Sequence, residues 1–153
     1  MPIDLQAVLP VLLPRAIDWA NARSNEILAS GEALNETGLK LASAVGVTDA
    51  SRIRLSKVSA LPLPDDPELR EVALATGLLG PGMIGLTLGY GIYVCNGYLD
   101  NRLISHECRH VYQYEAAGSI ENFLPVYLQQ IAEHGYHDAP FEIDAREHEL
   151  NAV

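Results

Sequence analysis

The feature that most constrains this chain is the stretch NRLISHECRHVYQYEAA at residues 101–117. Its apolar residues follow a helical spacing, Asp100 is a suitable N-cap residue, and Gly118 is typical of the position just after a helix. On a helix, residues four positions apart lie on one face, one turn apart. The stretch therefore predicts a helix that places His106 and His110 side by side.

The rest of the chain predicts helices before and after a small sheet along the sequence. The predicted elements, in order, are helices from Pro14 and from Asn35, a strand at 52–59, a short helix from Pro67, a β-rich segment at 77–97, the helix at 101–117, and two helices with Asn122 and Asp138 as N-caps. Helices and strands are segregated rather than alternating, which indicates an α+β fold with a small antiparallel sheet. The length of 153 residues is typical of a single domain.

The composition argues against several classes of partner and location. The net charge of -10 disfavours binding to nucleic acid or to an anionic membrane surface, since both recruit Lys and Arg. The N-terminal apolar run lacks a basic region and is interrupted by Pro10 and Pro14, so it predicts neither a signal peptide nor a membrane span. The two cysteines, Cys95 and Cys108, are expected to be buried thiols. These features together predict a cytoplasmic protein.

His106, Glu107 and His110 form the pattern His-Glu-x-x-His. Two imidazoles on one helix face can share a zinc ion at about 2.0–2.1 Å from each ligand nitrogen. Glu107 can reach a water on the metal without binding the metal itself. This arrangement suits metal-assisted hydrolysis, in which zinc lowers the pKa of the water and Glu107 takes its proton and later passes it on. The alternative is a hydrogen-bonded histidine pair that binds nothing.

A third protein ligand is required, and the residue types alone leave its identity open. The extension H-E-x-x-H-x-x-G-x-x-H is excluded because Gln113 and Ala116 stand where it requires Gly and His. The acidic C-terminal part is the expected source of the ligand. The candidates there are Glu133, Glu142, His134, His137 and His148.

The segment LISHECRHVYQYE, followed by GYHDAPFEIDA at residues 135–145, resembles short HExxH proteins of gluzincin type. The resemblance extends over about residues 31–146 and includes the stretches AVGVTDASRIRL and MIGLTLGYGIYV. It implies a zincin-like fold, a zinc cofactor, and Glu142 as the third ligand, with Glu133 as the main rival. It also implies a peptide or protein substrate that pairs with a strand within residues 84–95.

Other residues near the pattern receive supporting roles. Tyr136 and His137 precede Glu142 and are the candidate catalytic groups for stabilising an oxyanion. Gln113 lies one turn after His110 and can orient a ligand, and Asp144 can hydrogen-bond a ligand histidine. Cys108 should face away from the metal and pack in the core as a small apolar residue. A cysteine here departs from the proteins that this chain resembles, in which the position is often apolar.

The sequence therefore predicts a zinc-dependent hydrolase, most directly a peptidase. The alternative is a catalytically inactive or regulatory domain of the same fold that binds metal or a protein partner.

Overall fold

A computed structural model describes residues 4–153, in which six α-helices surround a four-stranded sheet. The helices are α1 Leu5–Ser30, α2 Glu36–Ala44, α3 Pro67–Ala75, α4 Asn101–Ala117, α5 Ile120–His134 and α6 Pro140–Glu147. The strands are β1 Glu32–Ala33, β2 Arg54–Val58, β3 Gly85–Leu88 and β4 Gly91–Cys95, and a 3-10 helix spans Ala50–Arg52. This confirms the predicted α+β class. No helix in the described part of the chain is long and apolar enough to cross a lipid bilayer.

The sheet is mixed, so the prediction of an antiparallel sheet was wrong. The strand order is β1-β2-β4-β3, with antiparallel outer pairs and a parallel central pair in which Leu55 faces Ile92. The parallel pair arises because the chain leaves β2, passes through α3 and the β3 hairpin, and re-enters the sheet in the direction of β2. β3 lies at the edge of the sheet.

The side chains of β4 alternate between two hydrophobic cores. Ile92 and Val94 face a core shared with α2 and α4, whereas Tyr93 and Cys95 face a core shared with α1 and α5. All five residues of β4 are buried, as expected for a strand covered on both faces. Cys108 is fully buried in the first of these cores, as predicted, and burial raises the pKa of its thiol to about 12.

The first helix begins at Leu5 and not at Pro14 as predicted. Asp4 caps it, and both Pro10 and Pro14 lie inside it. A proline removes one helical hydrogen bond and leaves the carbonyl four residues earlier without its donor. Both prolines are exposed, so water can reach those carbonyls, and burial of the neighbouring Leu9 and Leu12 favours the helix.

Two predicted N-caps also differ from the structure. Ser119, not Asn122, caps α5, and its Oγ accepts from the backbone N–H of Asn122. The N-cap of α6 is Ala139, and Asp138 makes no cap hydrogen bond. The N-cap of α5 thus lies three residues before Asn122, and the N-cap of α6 lies one residue after Asp138.

The central helix α4 has the predicted limits. The Asp100 carboxylate accepts from the N–H of Leu103 at 2.8 Å, and Gly118 ends the helix with a φ of 98°. α4 packs against α2, β3, α5 and α6. The fold thereby brings the start of α6 to the His-Glu-x-x-His face of α4.

Candidate metal site

The two histidines of α4 and the glutamate of α6 converge. Glu142, which is 2% exposed, lies with one carboxylate oxygen 3.4 Å from His106 Nε2 and the other 3.0 Å from His110 Nε2. Ligand atoms around a tetrahedral zinc ion are separated by about 3.3 Å when each bond is about 2.0–2.1 Å. The three side chains therefore have the donor types that zinc binds, and both nitrogen–oxygen distances are close to the separation of zinc ligands.

The other nitrogen of each imidazole is held by an oxygen. His106 Nδ1 lies 2.9 Å from Glu149 Oε2, and His110 Nδ1 lies 2.8 Å from Gln113 Oε1. The Gln113 amide is oriented by its own donor, since Nε2 donates to the Phe141 carbonyl at 2.9 Å. Glu149 and Gln113 are thus placed to accept a hydrogen from each Nδ1 atom, and each Nε2 atom faces Glu142, where it can carry a proton or bind a metal.

This arrangement concentrates negative charge around one point. Two Nε2 lone pairs facing a buried carboxylate repel it unless a cation or protons lie between them. Burial lowers the pKa of His110, but the hydrogen bond to Glu142 and the charges of Glu142 and Glu107 outweigh burial and raise it to about 9. Burial raises the pKa of Glu142, and its hydrogen bonds to His106 and His110 reverse this and hold it well below the usual range. The site is thus built to hold positive charge.

Glu107 lies beside this point with one oxygen anchored. Its Oε1 accepts from Thr87 Oγ1 of β3 at 2.9 Å, and its Oε2 lies 3.9 Å from His106 Nε2. One ligand atom each from His106, Glu107 and His110 fall within 4.8 Å of one another. Glu107 is buried. Its Oε1 is held by Thr87, and its Oε2 makes no such bond and lies near His106 Nε2.

Gly85 on β3 determines how closely the strand approaches Glu107. A Cβ at this position would lie 3.1 Å from both Cδ and Oε2 of Glu107. We expect Gly85→Ala to displace the carboxylate and to lower the hydrolytic activity proposed below by about tenfold to 100-fold, with zinc affinity little changed. Gly82→Ala is the matched control, since no atom in the described part of the chain lies within 4 Å of its Cβ position. Equal kcat/KM values for the two variants would contradict this role.

Two tyrosines complete the site. The Tyr127 hydroxyl donates to Glu142 Oε2 at 2.8 Å, a contact that nothing in the sequence indicated. Tyr136, a predicted catalytic residue, lines the same cavity as Glu107 and Glu142. Burial raises the pKa of the Tyr136 hydroxyl, and the charge of Glu142 raises it further, so this hydroxyl is a hydrogen-bond donor at neutral pH.

The structure does not bring the other ligand candidates into the site. His137 has an 82% exposed side chain and contacts Asp138. Glu133 and His134 contact each other at the exposed end of α5. His148 contacts Asp144 rather than the converging nitrogens. His137 follows Tyr136 directly in sequence, but the turn before α6 directs its side chain to solvent.

Gln113 contacts the ligand candidate His110, as predicted. Asp144 does not contact His106 or His110 directly. Asp144 was expected to bind a ligand histidine, but its carboxylate accepts from Gln113 Nε2 at 2.9 Å and from Arg109 Nε at 2.7 Å. It therefore acts on His110 through Gln113. Arg109 fixes this carboxylate with a second bond from Nη2 at 3.2 Å, which accounts for a charged residue between the two histidines.

Glu149 is another site residue that the sequence did not assign. It follows α6, binds His106, and is itself held by Arg102 Nε at 2.6 Å. Removing a hydrogen-bond partner of a metal ligand typically lowers metal affinity by about 10- to 100-fold. We expect that loss for Glu149→Ala in a competitive zinc titration. Glu147→Ala removes an exposed carboxylate two residues earlier and should have no effect; an equal loss in both would indicate a general charge effect.

A comparison of the chain with protein-family models, with curated proteins and with solved structures gives no significant match. The function is therefore inferred from the residues of the site and their geometry.

Proposed function

We propose that this protein is a zinc-dependent hydrolase with a zincin-like fold that cleaves an amide bond of a peptide or protein. The observation that carries the proposal is the convergence of His106 Nε2, His110 Nε2 and the Glu142 carboxylate in a buried site, with both Nδ1 atoms held by oxygens. Two histidines and a glutamate are a ligand set of catalytic zinc sites, which keep one position for water or substrate. The resemblance to gluzincins agrees with this ligand set.

Each residue of the site would have a separate role in the reaction. Zinc, when bound by His106, His110 and Glu142, supplies Lewis acidity and lowers the pKa of a water. Glu107 accepts the proton of the attacking water on Oε2 while Thr87 holds Oε1. The same carboxylate then delivers this proton to the amide nitrogen, which leaves as an amine.

Tyr136 is the candidate donor to the oxyanion that forms on the substrate carbonyl. Its hydroxyl stays protonated because burial and the charge of Glu142 raise its pKa, and it lines the cavity beside Glu107. The Tyr127 hydroxyl donates to Glu142 Oε2 at 2.8 Å and orients that ligand.

The edge strand β3 offers a place for an extended substrate. Among residues 4–153, β3 pairs only with β4, which leaves one side of its backbone without a strand partner. Gly85 and Thr87 of this strand contact Glu107. A peptide added to this edge would pass close to the proposed base. The two free, buried cysteines are compatible with a reducing compartment, and we place the activity in the cytoplasm.

The test is hydrolysis of a mixture of fluorogenic peptides by tag-free protein. We expect cleavage that 1,10-phenanthroline abolishes and that added zinc restores. Full zinc occupancy without cleavage of any peptide would instead favour a regulatory domain that keeps the site and lacks turnover. Cleavage that is insensitive to the chelator would contradict the proposed mechanism.

A further inference from the structure

A cavity of about 110 Å³ lies among α1, α3, β3 and α5 and reaches the candidate metal site. Glu107, His110, Glu142 and Tyr136 form part of its wall. The remainder is largely aliphatic and aromatic, and includes Leu9, Leu12, Leu69, Ala73, Leu86 and Leu128. The cavity and the site are therefore continuous.

Away from the site, the described part of the wall offers no charged partner to a charged ligand group. Apart from Glu107, His110 and Glu142, no charged side chain among residues 4–153 lines it. Its hydroxyls at Thr87, Tyr114 and Tyr127 already make hydrogen bonds within the protein. A charge entering this space would lose its hydration without compensation. The cavity thus selects for uncharged, apolar groups.

The size of the cavity also indicates a ligand. Protein interiors are close-packed, and voids larger than a water molecule are few because they forfeit packing contacts. An engineered apolar cavity of about 150 Å³ stays dry and binds benzene. The cavity beside Glu107 is of comparable size, so it can hold an aromatic ring or a short aliphatic chain.

We propose that this cavity is a specificity pocket that binds an uncharged apolar group of the substrate adjacent to the bond that is cleaved. The proposal rests on the proposed hydrolase, because it assigns the pocket to that same site. The group belongs either to a leucine- or phenylalanine-like side chain of a peptide or to a short acyl chain. Both sources share the chemistry that the wall recognises.

The test compares hydroxamates, which share one metal-binding group and differ in the attached chain. Binding of acetohydroxamate, hexanohydroxamate and 6-aminohexanohydroxamate to the zinc-loaded protein would be measured by calorimetry. Each buried methylene raises affinity by about threefold to fourfold, so hexanohydroxamate should bind more than about tenfold tighter than acetohydroxamate. The amino-terminated chain should lose this gain. Decanohydroxamate separates the sources: a further gain favours an acyl chain, and a loss favours a side chain.

A matched pair of variants locates the effect. Ala73→Leu fills the cavity from α3, and Ala75→Leu adds the same group on an exposed position of the same helix. Only Ala73→Leu should reduce the preference for hexanohydroxamate. Should that variant fail to fold, Leu12→Ala enlarges the cavity and should shift the preferred chain to a longer one.

The possible results distinguish a failure of the pocket proposal from a failure of the hydrolase proposal. Acetohydroxamate binding with no gain for the longer chain would overturn the pocket and leave the metal site standing. A gain that Ala73→Leu and Ala75→Leu reduce equally would also overturn it. No binding of any hydroxamate to a protein that takes up no zinc would overturn the hydrolase and, with it, the role of the pocket.

Discussion

Replacement of Glu107 by glutamine should lower kcat/KM for amide hydrolysis by about 10²- to 10⁴-fold while the protein keeps its zinc. Glutamine has nearly the shape of glutamate and can still accept the hydrogen bond from Thr87 Oγ1. It cannot take a proton from water at neutral pH. Because Glu107 is not assigned as a metal ligand, its replacement should leave the positions of His106 and His110 unchanged.

The measurement is kcat/KM on the best fluorogenic peptide together with zinc content by atomic emission. Glu133→Gln is the control, because it makes the same chemical change at an exposed position away from the site. Loss of zinc from Glu107→Gln would assign Glu107 as a ligand instead of a base. Unchanged hydrolysis would remove Glu107 from the mechanism.

Replacement of Glu142 by alanine should weaken zinc binding by more than about 100-fold, since it removes one of three protein ligands. Zinc stabilises the folded protein in proportion to the logarithm of its affinity. At a fixed excess of zinc, a 100-fold weaker site contributes about 2.7 kcal/mol less to the free energy of unfolding. The zinc-dependent increase in Tm should therefore shrink or vanish.

Each variant must be compared with and without zinc, because Glu142 also stabilises the metal-free site through its contacts with His106 and His110. Glu133→Ala should keep the full zinc-dependent shift in Tm. The reverse pattern, with Glu133 essential and Glu142 dispensable, would move the third ligand to α5 and would refute the arrangement proposed for α6.

The parts of the fold that the sequence predicted depend on local interactions. The limits of α4 follow from a carboxylate at Asp100 and a positive φ at Gly118, and each is recognisable within a few residues. The convergence of His106 and His110 follows from the helical repeat. The start of α1 was missed because its two prolines argue against a helix locally, whereas burial of Leu9 and Leu12 is a tertiary effect.

The parts that were missed depend on contacts between distant segments. The parallel pairing of β2 with β4 joins Leu55 to Ile92 and cannot be read from either strand alone. Glu149 reaches His106 only because the chain turns back over α4 after α6. The residue types alone could not identify the third ligand, because several residues of this region fit the chemistry. Only the resemblance to gluzincins favoured Glu142. Packing of α6 on α4 brings Glu142, and not Glu133, to the histidines.

The central claim is that His106, His110 and Glu142 bind one zinc ion. Its most direct test is a crystal structure of tag-free protein, loaded with one equivalent of zinc, with anomalous data collected at the zinc edge. We predict a single peak about 2.0–2.2 Å from both Nε2 atoms and from a carboxylate oxygen of Glu142. A peak that lies elsewhere, or no peak between α4 and α6, would contradict the claim.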